Sequence, residues 1–272
     1  MTRRLAHISD LHLGRDAVTD AAAARLCASL AAARLDHVVL TGDVTHRGLR
    51  AELRTFERLF APLLESGRLT VVPGNHDRLG DDVAARLMPG ERVRIATSPG
   101  VFTVAVDSTV PQDRSLLADH GWLTDTDLDH IDRALDAAPP GALRVLALHH
   151  HLLPAPEDGG TDRSLASAGW SHAAEAALGT ALIGRLLGWC EVVLHGHRHA
   201  AARTVVTGPG GSSLTLFNAG ATTELEQTRI LRHRGGRLLA EEWLHSDAAV
   251  GGAAASRALA VVPPARDAGL AA

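Results

Sequence analysis

The sequence has no tyrosine, and aromatic residues make up only 3% of its 272 positions. Any core must therefore be built mainly from Leu, Val and Ala. Cysteine is nearly absent, since only Cys27 and Cys190 occur, each in an apolar, helical-looking stretch. That excludes a disulfide framework, fits a reducing compartment, and marks both thiols as small buried hydrophobes. No run reaches the roughly 18 apolar residues of a membrane span. No signal-peptide-like region precedes the first strand, so the expected location is cytoplasmic, with no membrane partner. An excess of basic charge is also missing. The formal net charge is −4 with both signs mixed, which argues against a polymeric nucleic acid as partner.

Against these absences stand 26 glycines, 12 prolines and 16 histidines. Hydrophobic periodicity predicts strands at Leu5–Ile8, Val38–Thr41, Leu69–Val72, Val101–Val106, Arg144–Leu148 and Val192–Leu194. Between them it predicts helices at Ala17–Ala33, Arg50–Leu64, Leu123–Ala137 and Ala173–Trp189, the third capped by Thr124 or Asp125. Strand, polar turn and helix in repetition imply parallel strands, with the turns at their carboxyl ends, the edge where ligands bind in open α/β sheets. From Arg203 the texture changes. Val205, Leu214–Phe217, Arg229–Leu231 and Leu238–Trp243 read as successive antiparallel strands, and this segment could serve a homo-oligomer interface. One domain is expected over residues 1–247, followed by a mobile tail at 248–272.

Five polar clusters each follow a predicted strand: Asp10-Leu11-His12, Gly42-Asp43, Gly74-Asn75-His76-Asp77, His149-His150-His151, and His195-Gly196-His197-Arg198-His199. Together they offer carboxylate oxygen, amide oxygen and imidazole nitrogen without thiolate, a donor set suited to Mn, Fe, Zn or Ni. Residues two apart in an extended segment point the same way, so Asp10 with His12 and His197 with His199 could each converge on one site. Any one cluster alone is more often turn chemistry. Five at strand ends, in this order, point to a dinuclear metal site.

The series resembles the calcineurin-like metallophosphoesterase superfamily, whose signature runs D-x-H, G-D, G-N-H-[DE], H, then G-H-x-H. Every element occurs in order between Ala6 and His199. The resemblance implies a four-layer α-β-β-α sandwich: two mixed sheets packed together, with helices on both outer faces. It implies two divalent metal ions, one held by Asp10, His12 and His199, the other by Asn75, His149 and His197, with Asp43 bridging both. His150 is the alternative to His149. His76 would be catalytic rather than a ligand, stabilising or protonating the leaving oxygen. Asp77 either orients it or serves an exposed turn. Two cations roughly 4 Å apart would lower the pKa of a shared water, which attacks the phosphorus in line.

The expected activity is hydrolysis of a small phosphoester, most simply a cyclic nucleotide or glycerophosphodiester, as in small bacterial phosphodiesterases of this superfamily. Cyclic-nucleotide enzymes commonly place prolines directly after the histidine pair, whereas His151-Leu152-Leu153 intervenes here. A phosphomonoesterase, a nuclease and a non-catalytic scaffold are the alternatives. His46, Arg47, His150 and Arg198 are candidate substrate contacts, while His195 reads as structural. The Gly-, Asp- and Ser-rich loop Pro154–Ser171 is expected to cover the pocket.

Overall fold

The computed structural model describes residues 1–110, 121–153 and 171–246. The loop expected to cover the pocket (save Ser171) and the tail at 248–272 lie outside the described residues. Two sheets form the centre. The first has the order β11-β10-β1-β2-β3 and the second β4-β5-β6-β7-β9-β8. In the first, β1 (Arg3–Ile8), β2 (His37–Thr41) and β3 (Leu69–Val72) run parallel. The hairpin of β10 (Gln227–Arg234) and β11 (Arg237–His245) adds antiparallel beside β1. In the second, β5 (Val101–Val106), β6 (Leu143–Ala147), β7 (Val192–His195) and β9 (Ser213–Asn218) are parallel. The edges β4 (Val93–Ser98) and β8 (Ala202–Thr207) are antiparallel to their neighbours.

Side-chain alternation makes the layers. Leu5, Val39, Val145, Ala147, Leu194 and Phe217 point between the sheets into a shared core. Their neighbours Ala6, Ile8, Val38 and Leu40 point outward onto α1 (Ala17–Ala32) and α2 (Arg50–Leu59), meeting Leu26, Leu30 and Phe56. On the far side Val104, Leu146 and Val193 meet the helices Asp125–Asp136 and Ser171–Leu186 through Leu128, Ile131, Leu182 and Leu186. Strands buried on both faces read as continuous apolar runs, which is why they were legible. Three cores separate four layers, so the α-β-β-α sandwich holds.

Three local expectations are corrected. The helix predicted over residues 50–64 breaks into α2 and α3 (Ala61–Glu65), with Pro62 in the first turn of the second. Proline has no amide to continue the ladder, so a new helix starts there. The strands after Arg203 are not one antiparallel succession. They form two hairpins in different sheets, and β9 runs parallel to β7. The edge strand β4 was not foreseen. The Thr124 cap is observed, its hydroxyl accepting from the Asp127 amide.

Candidate metal centre

All five clusters sit at the carboxyl ends of strands, three on the first sheet and two on the second, where the two edges meet. Asp10 and His12 follow β1, Asp43 follows β2, Asn75 and His76 follow β3, His149 follows β6, and His197 and His199 follow β7. The loops after β1 and β2 are zipped together: the amides of Asp10, His12 and Leu13 donate to the carbonyls of Gly42, Asp43 and Val44.

That pairing changes the reason why Asp10 and His12 converge. Neither is extended; their φ values are 54° and 47°. Asp43, His197 and His199 are also left-handed, at 49°, 74° and 52°. Each such non-glycine residue costs about 1 kcal/mol or more and persists only where its surroundings fix it. Asp10 and His12 do come together, but not through strand alternation, and His197 and His199 fall in different donor groups.

One donor group comprises Asp10, His12, Asp43 and His199, whose ligand atoms all lie within 4.8 Å of one another. His12 Nε2 and His199 Nε2 face each other at 3.0 Å. The other comprises Asn75, His149, His197 and Asp43. His149 Nε2 lies 2.9 Å from Asn75 Oδ1, 3.2 Å from His197 Nδ1 and 3.4 Å from Asp43 Oδ2. Four donors on a tetrahedral metal with bonds of 2.0–2.1 Å stand roughly 3.3 Å apart, so the second group fits such an ion closely. Asp43 belongs to both groups, and its Oδ2 is also 3.8 Å from His12 Nε2. Its Oδ1 is occupied by the His76 amide at 2.9 Å. One oxygen therefore anchors the loop and the other faces both donor groups.

Burial and neighbouring charges act in opposite directions on the donors. Burial, the largest effect on each, pulls His12 down to about 3 and His197 well below the ordinary range, so both are neutral, the form a ligand needs. Burial also pulls on His149, but the charges of Asp43 and Asp10 outweigh it and hold this imidazole at about 9. Burial pushes Asp10 up to about 7 and would raise Asp43 as well; the imidazoles around Asp43, His149 above all, hold it below the carboxylate range instead. His149 Nδ1–H donates to the Thr41 carbonyl at 2.8 Å, directing Nε2 at the site. Of the fourth cluster, it is His149 whose Nε2 faces Asn75, His197 and Asp43.

His150 is buried, with Nδ1 2.9 Å from Ser108 Oγ. It backs His149 and His197 rather than opening to a substrate. His195 ends β7 with Nδ1 3.3 Å from the Gly196 carbonyl, a structural placement. His46 stacks on His76 with centroids 5.6 Å apart and meets His12 edge-on at 5.7 Å, so it lines the pocket. Arg47 is exposed and is not drawn into the cluster. Arg198 bonds His151 Nε2 at 2.9 Å, and His151 stacks on His197. The His199 side chain is 41% exposed, which marks the open side.

Asp77 neither orients His76 nor lies exposed. It is fully buried, and its carboxylate accepts from the amides of Gly74, Val44 and Thr45 and from the Thr45 hydroxyl. It staples the loops after β2 and β3 together. His76 is oriented instead by the His46 carbonyl, which accepts from Nδ1 at 2.7 Å. Sequence reasoning missed this carbonyl, along with Ser9, Thr222 and Thr223, which hold the loop after β1. No residue-type signal identifies a backbone acceptor.

The motif glycines are needed for close approach. Gly42 has φ +92°, and a Cβ there would lie 2.4 Å from His149 Nδ1. At Gly74 a Cβ would lie 2.2 Å from Asp43 Oδ1 and 2.3 Å from the Asp43 nitrogen. Gly74→Ala is therefore expected to displace Asp43 and weaken metal binding about 10–100-fold. Chelator competition measures this, and unchanged affinity would refute the packing argument.

Comparison with known proteins bears on the family and the fold. The profile of the calcineurin-like phosphoesterases matches residues 3–201. A 3',5'-cyclic adenosine monophosphate phosphodiesterase from Pseudomonas aeruginosa is 32% identical over 133 residues, covering 46% of this chain and 43% of that relative. The match thus spans less than half of the curated relative. Among solved structures, a purple acid phosphatase from yellow lupin (Lupinus luteus) seeds superposes with TM-score 0.62 at 13% identity, covering 91% of this chain and 52% of its own. A dimetal phosphatase from Danio rerio gives 0.54 at 12% identity, covering 90% and 99%. GAP50, the anchor in the inner membrane complex of Plasmodium, gives 0.52 at 11% identity, covering 91% and 85%. At such identities the likeness is one of fold.

Proposed function

The chain belongs to the calcineurin-like phosphoesterase family, and on that premise we propose that it hydrolyses a small phosphodiester at a centre of two divalent metal ions. Asp10, His12, Asp43 and His199 would hold one ion, and Asp43, Asn75, His149 and His197 the other, with Mn, Fe, Zn or Ni suited to these donors. The observation that carries the reading is Asp43 Oδ2, one carboxylate oxygen facing His12 Nε2 at 3.8 Å and His149 Nε2 at 3.4 Å. When bound, the ions supply Lewis acidity towards the phosphoryl oxygens and lower the pKa of the attacking water.

The remaining work falls to the chain's own groups. His76, with Nδ1–H fixed on the His46 carbonyl, keeps Nε2 for a proton delivered to the leaving oxygen. His46, stacked beside it, contacts the leaving group or a phosphoryl oxygen. Arg198, exposed between His197 and His199, would contact the substrate, and Arg47, exposed beside His46, is the second candidate. The net charge of −4 favours a small substrate over a nucleic-acid polymer. Diester preference is supported by the cyclic AMP phosphodiesterase that shares 32% identity with part of this chain, which makes cyclic nucleotides and glycerophosphodiesters the first substrates to screen. No helix of the described residues is long and apolar enough to cross a membrane.

The test is hydrolysis of bis-(p-nitrophenyl) phosphate and p-nitrophenyl phosphate by metal-loaded protein. The diester is expected to be preferred, and His76→Ala to lower kcat by a factor on the order of 10²–10⁴ with metal content unchanged. Preference for the monoester would overturn the diester reading. Loss of metal in His76→Ala would make His76 a ligand instead. No turnover by protein that holds two metals would leave a binding scaffold as the function.

A further inference from the structure

We propose that Arg229 is a positioning residue for the metal centre, holding one end of the loop that carries His197 and His199 directly and the other end through Asn218. This rests on the reading of those two histidines as ligands. Arg229 lies on β10 in the first sheet and is 2% exposed. A buried guanidinium carries a desolvation cost, so its contacts ask for a reason. It is paired with Glu241 and lies over the rings of Phe217 and Trp243, at 4.9 and 4.4 Å from their centroids. Those contacts stabilise the charge. Phe217 lies on β9, in the other sheet, but ring contacts do not require the fork to bond that sheet's backbone.

The fork does reach it. Nη2 donates to the carbonyls of Asn218, at 2.9 Å, and Ala202, at 3.0 Å. These residues face each other across β8 and β9, and Asn218 also faces His195 on β7. The ligand loop leaves the sheet just after His195 and returns at Ala202. At the leaving end, Asn218 Nδ2 donates to the Gly196 carbonyl at 2.9 Å, while its Oδ1 accepts from the Gly220 amide at 2.8 Å. Arg229 therefore holds the returning end directly and the leaving end through Asn218.

The loop between these anchors contains His197 and His199, both at positive φ, conformations that persist only when the surroundings impose them. The clamp also spans the two sheets. Asp10, His12, Asp43 and Asn75 come from the first sheet and His149, His197 and His199 from the second, so the clamp ties the loop of His197 and His199 to the sheet that carries the other half of the donor set.

The experiment compares full-length wild type, Arg229→Met, Asn218→Ala, the double variant and His197→Ala. Metal affinity is read by chelator competition, the coordination environment by the visible bands of bound Co(II), and folding by far-UV circular dichroism. Arg229→Met and Asn218→Ala are each expected to stay folded, to lose about 10–100-fold in affinity, and to shift the Co(II) bands. The double variant is expected to lose less than the product of the two, because both act on one loop. A folded Arg229→Met with wild-type affinity and Co(II) bands overturns the proposal. If Arg229→Met does not fold, Asn218→Ala decides, and unchanged affinity there overturns it. Wild-type affinity in His197→Ala would refute the ligand reading and the proposal with it; loss there, with none in the clamp variants, refutes the clamp alone.

Discussion

Asp43→Asn is expected to lower phosphodiester turnover by a factor on the order of 10³ or more and to prevent two metal ions from binding together. The substitution is nearly isosteric. Its Oδ1 can still accept from the His76 amide at 2.9 Å, so the loop after β3 keeps its anchor. The other oxygen becomes an amide nitrogen, whose hydrogens would face His149 Nε2 and His12 Nε2, 3.4 and 3.8 Å from the present carboxylate oxygen. The shared negative charge disappears, and with it the attraction that keeps two cations close in a buried site. Turnover of bis-(p-nitrophenyl) phosphate and metal content, measured on the same sample, check this result. Retention of a tenth of wild-type activity would show that Asp43 does not bridge.

Asp77→Ala is expected to cost about 4 kcal/mol of stability without removing any metal ligand. The carboxylate accepts at 2.9 Å from the Gly74 amide, 3.2 Å from Val44, 2.9 Å from Thr45 and 2.7 Å from the Thr45 hydroxyl. Each donor left buried without a partner costs about 1–3 kcal/mol, partly recovered by relaxation. For a chain of this size the loss corresponds to a fall in Tm of roughly 8–16 °C. The measurement belongs on metal-free protein, because bound metal stabilises the folded state by itself. Asp77→Asn separates the staple from a simple cavity effect. It fills the same space but turns two hydrogens towards the Gly74 and Val44 amides, so it is expected to fall nearly as far. A melting temperature for Asp77→Asn within about 2 °C of wild type, no more than about 1 kcal/mol, would sink the staple.

These two residues also show what the sequence made legible. Asp43 could be found because its role is written in residue type and order: an acid after a buried strand, one of five clusters in series. Asp77 stood in the third cluster of the same series, yet most of its partners are backbone amides, of Gly74, Val44 and Thr45, which no side-chain pattern announces. The same holds for the His46 carbonyl that orients His76. The left-handed turns at Asp10 and His12 arise from bonds to the neighbouring β2 loop, so local alternation gave the right grouping through the wrong geometry. His149 could be separated from His150 only by the Thr41 carbonyl, which comes from the other sheet.

The fold followed similar lines. Strands buried on both faces were visible as apolar runs, whereas β4, exposed along the edge with Arg94 and Ile95, carries a weak signal. Pro62 was a readable break that periodicity overrode. Which sheet each late hairpin joins depends on long-range pairing, with β10 returning to β1 from more than two hundred residues away.

The most direct test is the number of metal ions held per chain after loading wild-type protein and removing excess metal. Two ions, bound and released together as chelator is added, are the expected result. Saturation at a single ion would contradict the shared Asp43 and the dinuclear centre built on it.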